Sequence, residues 1–387
     1  MWVPLLIAIT LSCSCGSPSG SVSGEGRGGD PGGGRSSADV GDARTTGRMV
    51  AAAEMSSPRA AHTATLLKDG SVLVAGGCTL DGCDISPEGA TAELYDPRSR
   101  SFEATGSMTT ERVSQTATLL SDGRVLVAGG WDRDGVLKSA ELYDPSTRTF
   151  SPTEDMSTAR AAHTATLLPD GKVLLAGGYD GERSVSAAEV YDPDTNGFTG
   201  TGDMQTARSA HAAAPLPDGR VLVTGGLDAG DNVVQSTEIY DPRQGRFVGA
   251  DEMSSARYKH AAVSLDIGTI LVVGGSDEND FYGKRATAEV YDPETDKFAA
   301  VSSMDTKRFK LPDAVATLAG GSVLVGGGGR HAELYNPDSR SFRRVSGDLG
   351  SPRAFATTVP LAEGTALVAG GYDENINLTN NTWLYAP

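Results

Sequence analysis

Apolar residues recur along this chain in short runs that stop at a Gly-Gly pair. They do so seven times, at Gly76-Gly77, Gly129-Gly130, Gly177-Gly178, Gly225-Gly226, Gly274-Gly275, Gly327-Gly328 and Gly370-Gly371. Successive pairs lie 53, 48, 48, 49, 53 and 43 residues apart. Each unit carries four strand-length apolar stretches separated by turn formers. The third unit reads His163 to Leu168, Lys172 to Ala176, Ala187 to Tyr191 and Gly197 to Thr201. Pro169-Asp170-Gly171 joins its first two stretches and Asp192-Pro193-Asp194-Thr195-Asn196 its last two. Such tight connections force antiparallel neighbours. Every unit is therefore expected to be a four-stranded meander, and about 49 residues per four strands is the size of a propeller blade.

Particular residues carry a family resemblance. Arg160-x-x-His163, the Gly177-Gly178 pair, Glu189-Val190-Tyr191-Asp192-Pro193 and the aromatic Phe198 resemble the kelch motif. Phe102, Phe150, Phe198, Phe247, Phe298 and Phe342 stand where that motif usually has Trp. The resemblance runs from about Thr45 to Pro387 and implies an all-β, seven-bladed kelch β-propeller similar to that of galactose oxidase. The seventh unit stops at Trp383-Leu384-Tyr385-Ala386-Pro387, aligned with Glu189 to Pro193, so it lacks a fourth strand. Met49 to Met55 repeats the spacing from aromatic to Met seen in Phe102 to Met108 and Phe150 to Met156. The N-terminal strand is thus expected to complete blade seven and remove the exposed edge of an open ring.

Length variation singles out one face. The repeat Glu and the second Gly of the next pair lie 37 residues apart at each of the first four junctions. From that Gly to the following Glu the separations are 16, 11, 11, 12, 14 and 5. The connections between second and third strands are therefore the variable ones, and in an antiparallel meander they share an end with the turns that precede the first strands. Those turns carry Arg59, Arg112, Arg160, Arg208, Arg257, Arg308 and Arg353. Aromatic and Arg side chains dominate interface energetics, so Trp131, Tyr179, Phe281, Tyr282, Arg353 and Tyr372 are the candidate ligand contacts.

Composition sharpens the picture. With 33 Lys and Arg against 50 Asp and Glu the net charge is −17, which argues against nucleic acid as a partner. No apolar run reaches the roughly 18 residues of a spanning helix. The stretch from Trp2 to Leu11, with Cys13 and Cys15 in the small-residue cluster that follows, resembles an export signal and the lipobox of bacterial lipoproteins. Two departures stand out: there is no Lys or Arg before Arg27, and Thr10 stands three before Cys13. The expected organisation is an export or lipoprotein-like signal over 1–13, a Gly/Ser-rich disordered tether over 14–44 and the propeller over 45–387. Cys13 is the candidate lipidation site. The implied location is the cell envelope or surface, otherwise secreted, with a lipid anchor as the only membrane contact. In that oxidising setting the close pair Cys78 and Cys83 reads as a loop-closing disulfide.

Other chemistry is weighed residue by residue. His62, His163, His211 and His260 share one repeat position, where Gln115, Asp313 and Ala356 stand in the other units. A ring of imidazoles could take a metal, but symmetry spreads them apart and inter-strand hydrogen bonding is the favoured role. The repeat Arg and Glu occur together in six units, as Arg160 with Glu189, which suggests a buried ion pair. Arg353 has Trp383 in place of the Glu and is left as the free member. Acidic loops such as Asp132-Arg133-Asp134-Gly135 do not complete a Ca²⁺-binding loop. No cofactor is expected. The reading favoured is a monomeric, non-catalytic module for a protein or glycan ligand. The alternative, implied by the resemblance, is a kelch-fold enzyme acting on carbohydrate, closer to a sialic-acid mutarotase than to a copper oxidase.

Overall fold

The computed structural model describes residues 47–277 and 283–387. These form seven four-stranded antiparallel sheets. Blade one comprises Thr63–Leu66, Val72–Ala75, Ala92–Asp96 and Ser101–Ala104, paired in that order. Blade three comprises Thr164–Leu167, Val173–Ala176, Ala188–Asp192 and Gly197–Gly200. The first strands of successive blades neighbour one another around the ring, including that of blade seven beside blade one. They are the innermost strands.

Blade seven is assembled from distant segments. Thr357–Pro360, Ala366–Ala369 and Thr382–Ala386 supply three strands, and Arg48–Ala51 supplies the outermost. The register is Arg48 to Ala386, Met49 to Tyr385, Val50 to Leu384 and Ala51 to Trp383. The expected closure is thus the observed one.

The hydrophobic core is divided among the blade junctions. At the junction of blades one and two, Leu67, Leu73, Ala75, Ala92 and Met108 pack with Val125, Val127 and Tyr143. Val72, Val74, Tyr95 and Met55 instead face Val359, Leu367 and Ala369 of blade seven. Alternate residues of Val72–Ala75 therefore serve opposite neighbours, and all four are buried. That two-sided burial explains why the second strands read as continuous apolar runs rather than alternating ones.

A second ring is made by the backbone. Ala61, Ser114, Ala162, Ala210, Lys259, Lys310 and Phe355, each two residues after a repeat Arg, adopt φ between 49° and 58°. Ser114 donates its N–H to the Ala61 carbonyl, Ala162 to Ser114, Ala210 to Ala162 and Lys259 to Ala210. Leu311 donates to Lys259, Phe355 to Lys310, and Ala61 to Phe355, which closes the circle. A left-handed non-glycine residue costs roughly 1–2 kcal/mol. Here each one orders a hydrogen bond between neighbouring blades.

Candidate functional site

The incoming turns and the variable loops meet at one end of the disc. Backbone bridges join Ala60 to Cys78, Val113 to Trp131, Ala161 to Tyr179, Ser209 to Leu227, Tyr258 to Ser276 and Ala354 to Tyr372. Directly beneath them lie six guanidinium groups with no solvent exposure, those of Arg59, Arg112, Arg160, Arg208, Arg257 and Arg308. Each pairs through Nη2 with its repeat Glu at 2.8–3.3 Å. Each also donates from Nη1 to the carbonyl of the first Gly of its pair, as Arg160 does to Gly177 at 2.7 Å. The second carboxylate oxygen accepts a backbone N–H three residues before the Arg, for example Ser157 to Glu189 at 2.8 Å. Burial lowers the pKa of each of these Arg groups and its Glu raises it. These six pairs are scaffold, with the turn, the inner strands and the third strand tied to one charge pair.

The four repeat histidines are equally internal. His62 shares a hydrogen bond through Nε2 with Thr357 of blade seven at 3.1 Å, His163 with Thr116 at 3.0 Å, His211 with Thr164 at 2.9 Å and His260 with Thr224 at 2.8 Å. Burial, then the neighbouring Arg charges, pushes the pKa of His62, His163 and His211 down to about 3. In blade two Gln115 makes the same reach, donating to the Ala75 carbonyl at 3.0 Å. In blade six the sequence alignment placed Asp313 at this position, and the structure corrects it. The Cδ1 of Leu311 lies against Gly274, as His260 lies against Gly225, and Pro312-Asp313 is a two-residue insertion behind it.

The variable loops are organised by their own aspartates. Asp132 Oδ1 accepts the N–H groups of Asp134 and Gly135, Asp180 those of Glu182 and Arg183, Asp228 those of Gly230 and Asn232, and Asp373 those of Asn375 and Asn377. Their acidity is turn chemistry. Cys78 and Cys83 form a disulfide with Cα atoms 4.9 Å apart. The loop they close touches blade seven, where Gly82 N–H meets the Ile376 carbonyl at 3.0 Å and Asp81 accepts from Leu378 at 2.9 Å.

The candidate contacts are not equally placed. Trp131 is 5% exposed and stacks on half-buried Tyr179 at 5.5 Å between ring centroids. Tyr372 is 8% exposed, and its hydroxyl accepts from Lys310 Nζ at 2.8 Å. Arg353 is 8% exposed and lies over the Trp383 ring at 5.4 Å. Phe281 and Tyr282 lie outside the described residues, as do Cys13 and the leader.

Sequence reasoning missed two residues at this end, Lys259 and Lys310. They occupy the left-handed ring, where blades one to four have Ala61, Ser114, Ala162 and Ala210. Both ammonium groups come within about 6 Å of the Phe355 ring, at 6.0 and 5.7 Å. Lys310 also lies over Phe309 at 4.8 Å and Tyr372 at 5.3 Å, and Lys259 over Tyr258 at 5.1 Å. Aromatic faces attract cations in this geometry. The signal was present in the repeat alignment: the residue two after the Arg changes from small to Lys, Lys and Phe in blades five, six and seven. At the opposite end the described residues form a cleft of about 440 Å³ between the turns of blades three and four. Its lining is apolar, from Leu167, Pro169, Pro215 and Pro217, apart from Asp218, whose carboxylate accepts from Arg220 Nε at 2.6 Å.

The kelch motif is matched at residues 112–157, 160–205 and 256–305. No curated protein matches the chain. Among solved structures, a fungal alcohol oxidase of the AA5 family, described in complex with copper, aligns with 88% of this chain and 76% of its own. The TM-score is 0.69 at 17% identity, so what is shared is the fold. The residues described here do not fit copper. No group of three or more His, Cys, Asp or Glu among them is placed to hold a metal ion. The ring imidazoles have buried, unpartnered Nδ1 atoms, yet each stands alone in its blade. The blade count and strand order agree with these matches: the chain folds as a seven-bladed β-propeller closed through Arg48–Ala51 and carries kelch motifs over 112–157, 160–205 and 256–305.

Proposed function

We propose that this propeller is a non-catalytic binding module, exported and held at the cell envelope by a lipid anchor, which takes a protein or glycan ligand on the face bearing the second-to-third-strand loops. One observation carries the reading. At a ring position whose backbone repeats seven times, the side chains depart from Ala and Ser only in blades five to seven, where Lys259, Lys310 and Phe355 stand together. Two cations and an aromatic face are thus gathered in one sector of the loop-bearing face, where Lys310 also donates to the Tyr372 hydroxyl.

Glycan-array and pull-down screening of the exported body identifies the ligand. Tyr179→Ala combined with Lys310→Met is then expected to weaken binding at least tenfold, about 1.4 kcal/mol. Charge reversal at Asp170 and Asp194, on the opposite end, is expected to leave it unchanged. The reverse outcome would place the ligand on the other face. Anchoring is tested separately, by fatty-acid labelling that Cys13→Ala abolishes.

A further inference from the structure

Six of the seven repeat Arg groups show what this fold does with a guanidinium, and the seventh departs from them. In blades one to six both terminal nitrogens are engaged, Nη2 by the repeat Glu and Nη1 by the glycine carbonyl. In blade seven Trp383 takes the place of the Glu, at the same register position: it pairs with Val368 as Glu189 pairs with Leu175. Arg353 turns accordingly. It donates from Nε to the Leu349 carbonyl at 3.2 Å, and among the described residues neither Nη1 nor Nη2 has a hydrogen-bond partner. The residue is still more than nine-tenths buried, and its guanidinium carbon lies 5.4 Å from the centre of the Trp383 ring. The amide that caps the Glu in other blades, here that of Gly350, is taken by Asp348.

We infer that Arg353 is a carboxylate receptor and that its ligand is a sugar acid, free or at the end of a glycan. This inference rests on the binding-module reading and names the chemistry of one point on that face. A carboxylate accepts two parallel N–H donors from Nη1 and Nη2, the geometry in which Arg outperforms Lys. The Nε hydrogen bond to Leu349 and the contact with the Trp383 ring hold the side chain in place and lower the side-chain entropy lost when the fork engages. The flanking loop supplies the rest. Burial lowers the Arg353 pKa and the charge of Asp373 opposes that; Asp373 also begins a segment in which Asn375 and Asn377 are exposed, the Asn377 amide donating to Asp373 Oδ2 at 3.1 Å. Amides and carboxylates together both donate and accept, the complement of a ring of hydroxyls. A net charge of −17 disfavours a partner that presents many acidic groups, whereas one carboxylate on a hydroxylated body meets less repulsion.

The experiment is calorimetric titration of the full chain with sodium glucuronate, and with glucose as its uncharged counterpart. Glucuronate is expected to bind and glucose to bind at least tenfold more weakly. Arg353→Lys, which keeps the charge and loses the fork, is expected to weaken glucuronate tenfold or more while the melting temperature holds. Trp383→Glu rebuilds the ion pair of the other six blades and is expected to abolish binding. Equal affinity for glucuronate in wild type and Arg353→Lys, or no glucuronate binding at all, overturns the inference. A Glu-terminated peptide that binds through Arg353 where glucuronate does not would make the occupant a peptide and overturn the sugar-acid assignment. A neutral ligand found by screening, lost with the Tyr179 and Lys310 substitutions but indifferent to Arg353, would sink this inference and leave the binding-module reading standing.

Discussion

Blade three and blade seven reach the same four-stranded sheet by different routes. Blade three is one continuous stretch, with Arg160 bound to Glu189 and His163 bound to Thr116. Blade seven joins Arg48–Ala51 to strands some 300 residues away, and it has Trp383 for the Glu and Ala356 for the His. Its polar ties are replaced by apolar ones: Trp383, Tyr385, Met49, Val345 and Leu349 form one buried cluster. Local hydrogen bonds and ion pairs therefore serve blades whose strands are already neighbours in sequence. At the closing blade, where a long loop must be brought together against chain entropy, burial of large side chains takes over that role.

The severest test removes the closing strand. A truncation that starts at residue 57 is expected to melt at least about 10 °C below one that starts at residue 46, because an unpaired edge and the Met49 contacts are lost together. Equal melting temperatures would mean that blade seven does not depend on Arg48–Ala51.

Next come the two arginines. Arg160→Met leaves Glu189 buried without its cation, and a loss of about 3–5 kcal/mol is expected in chemical denaturation. Arg353→Met strands no carboxylate, and about 1 kcal/mol or less is expected, from the lost cation–ring contact with Trp383. Similar losses at both positions would erase the distinction between scaffold and free guanidinium.

Acid should separate the same blades. The folded pKa of His163 is about 3, against about 6.5 in an unfolded chain. Below pH 6.5 the unfolded state binds the proton and the folded state does not, so this stabilisation is lost as the pH falls from 6.5 towards 3. At pH 5 the loss approaches about 2 kcal/mol per histidine. His163→Gln, which imitates Gln115 of blade two, is expected to flatten the pH dependence of stability between 7 and 5 by that amount. An unchanged slope would show that the imidazole is not held neutral. Blade seven, with Ala356, contributes nothing to this slope from that position.

What the sequence made legible follows from what repeats. Gly-Gly pairs and Asp-Pro turns punctuate the strands, so blade number, strand order and closure could all be read, and even the missing fourth strand was a positive signal. The left-handed ring could not be read, because Ala, Ser, Lys and Phe carry no mark of positive φ and only the inter-blade hydrogen bonds select it. The blade six insertion could not be placed, because nothing in Leu311-Pro312-Asp313-Ala314 marks which two residues bulge and which one packs against Gly274. Of the candidate site, Arg353 was singled out by the absence of its Glu. Lys259 and Lys310 carry no mark in loop length, because the ring position keeps one backbone conformation in every blade and differs only in side chain. The burial of Trp131 depends on Tyr179 of the next blade, a tertiary contact that no local pattern contains.

An exchange of two residues across one strand pair tests whether the histidine ring is specified by a hydroxyl rather than by a strand position. In blades two, three and seven the hydroxyl is on the first strand, and its cross-strand partner is Ala, as in Thr164 opposite Ala176. In blade four the two are exchanged: Ala212 stands on the first strand and Thr224 opposite it, and Thr224 still meets His260 at 2.8 Å. Thr224→Ala alone removes the partner of a buried imidazole and is expected to cost about 1–2 kcal/mol. Adding Ala212→Thr restores a hydroxyl at the position used by the other blades, and the double variant is expected to return to within about 0.5 kcal/mol of the wild type. Additive losses would show that Thr224 acts through its own strand, and that the agreement among the blades lies in sequence pattern and not in the hydrogen bond.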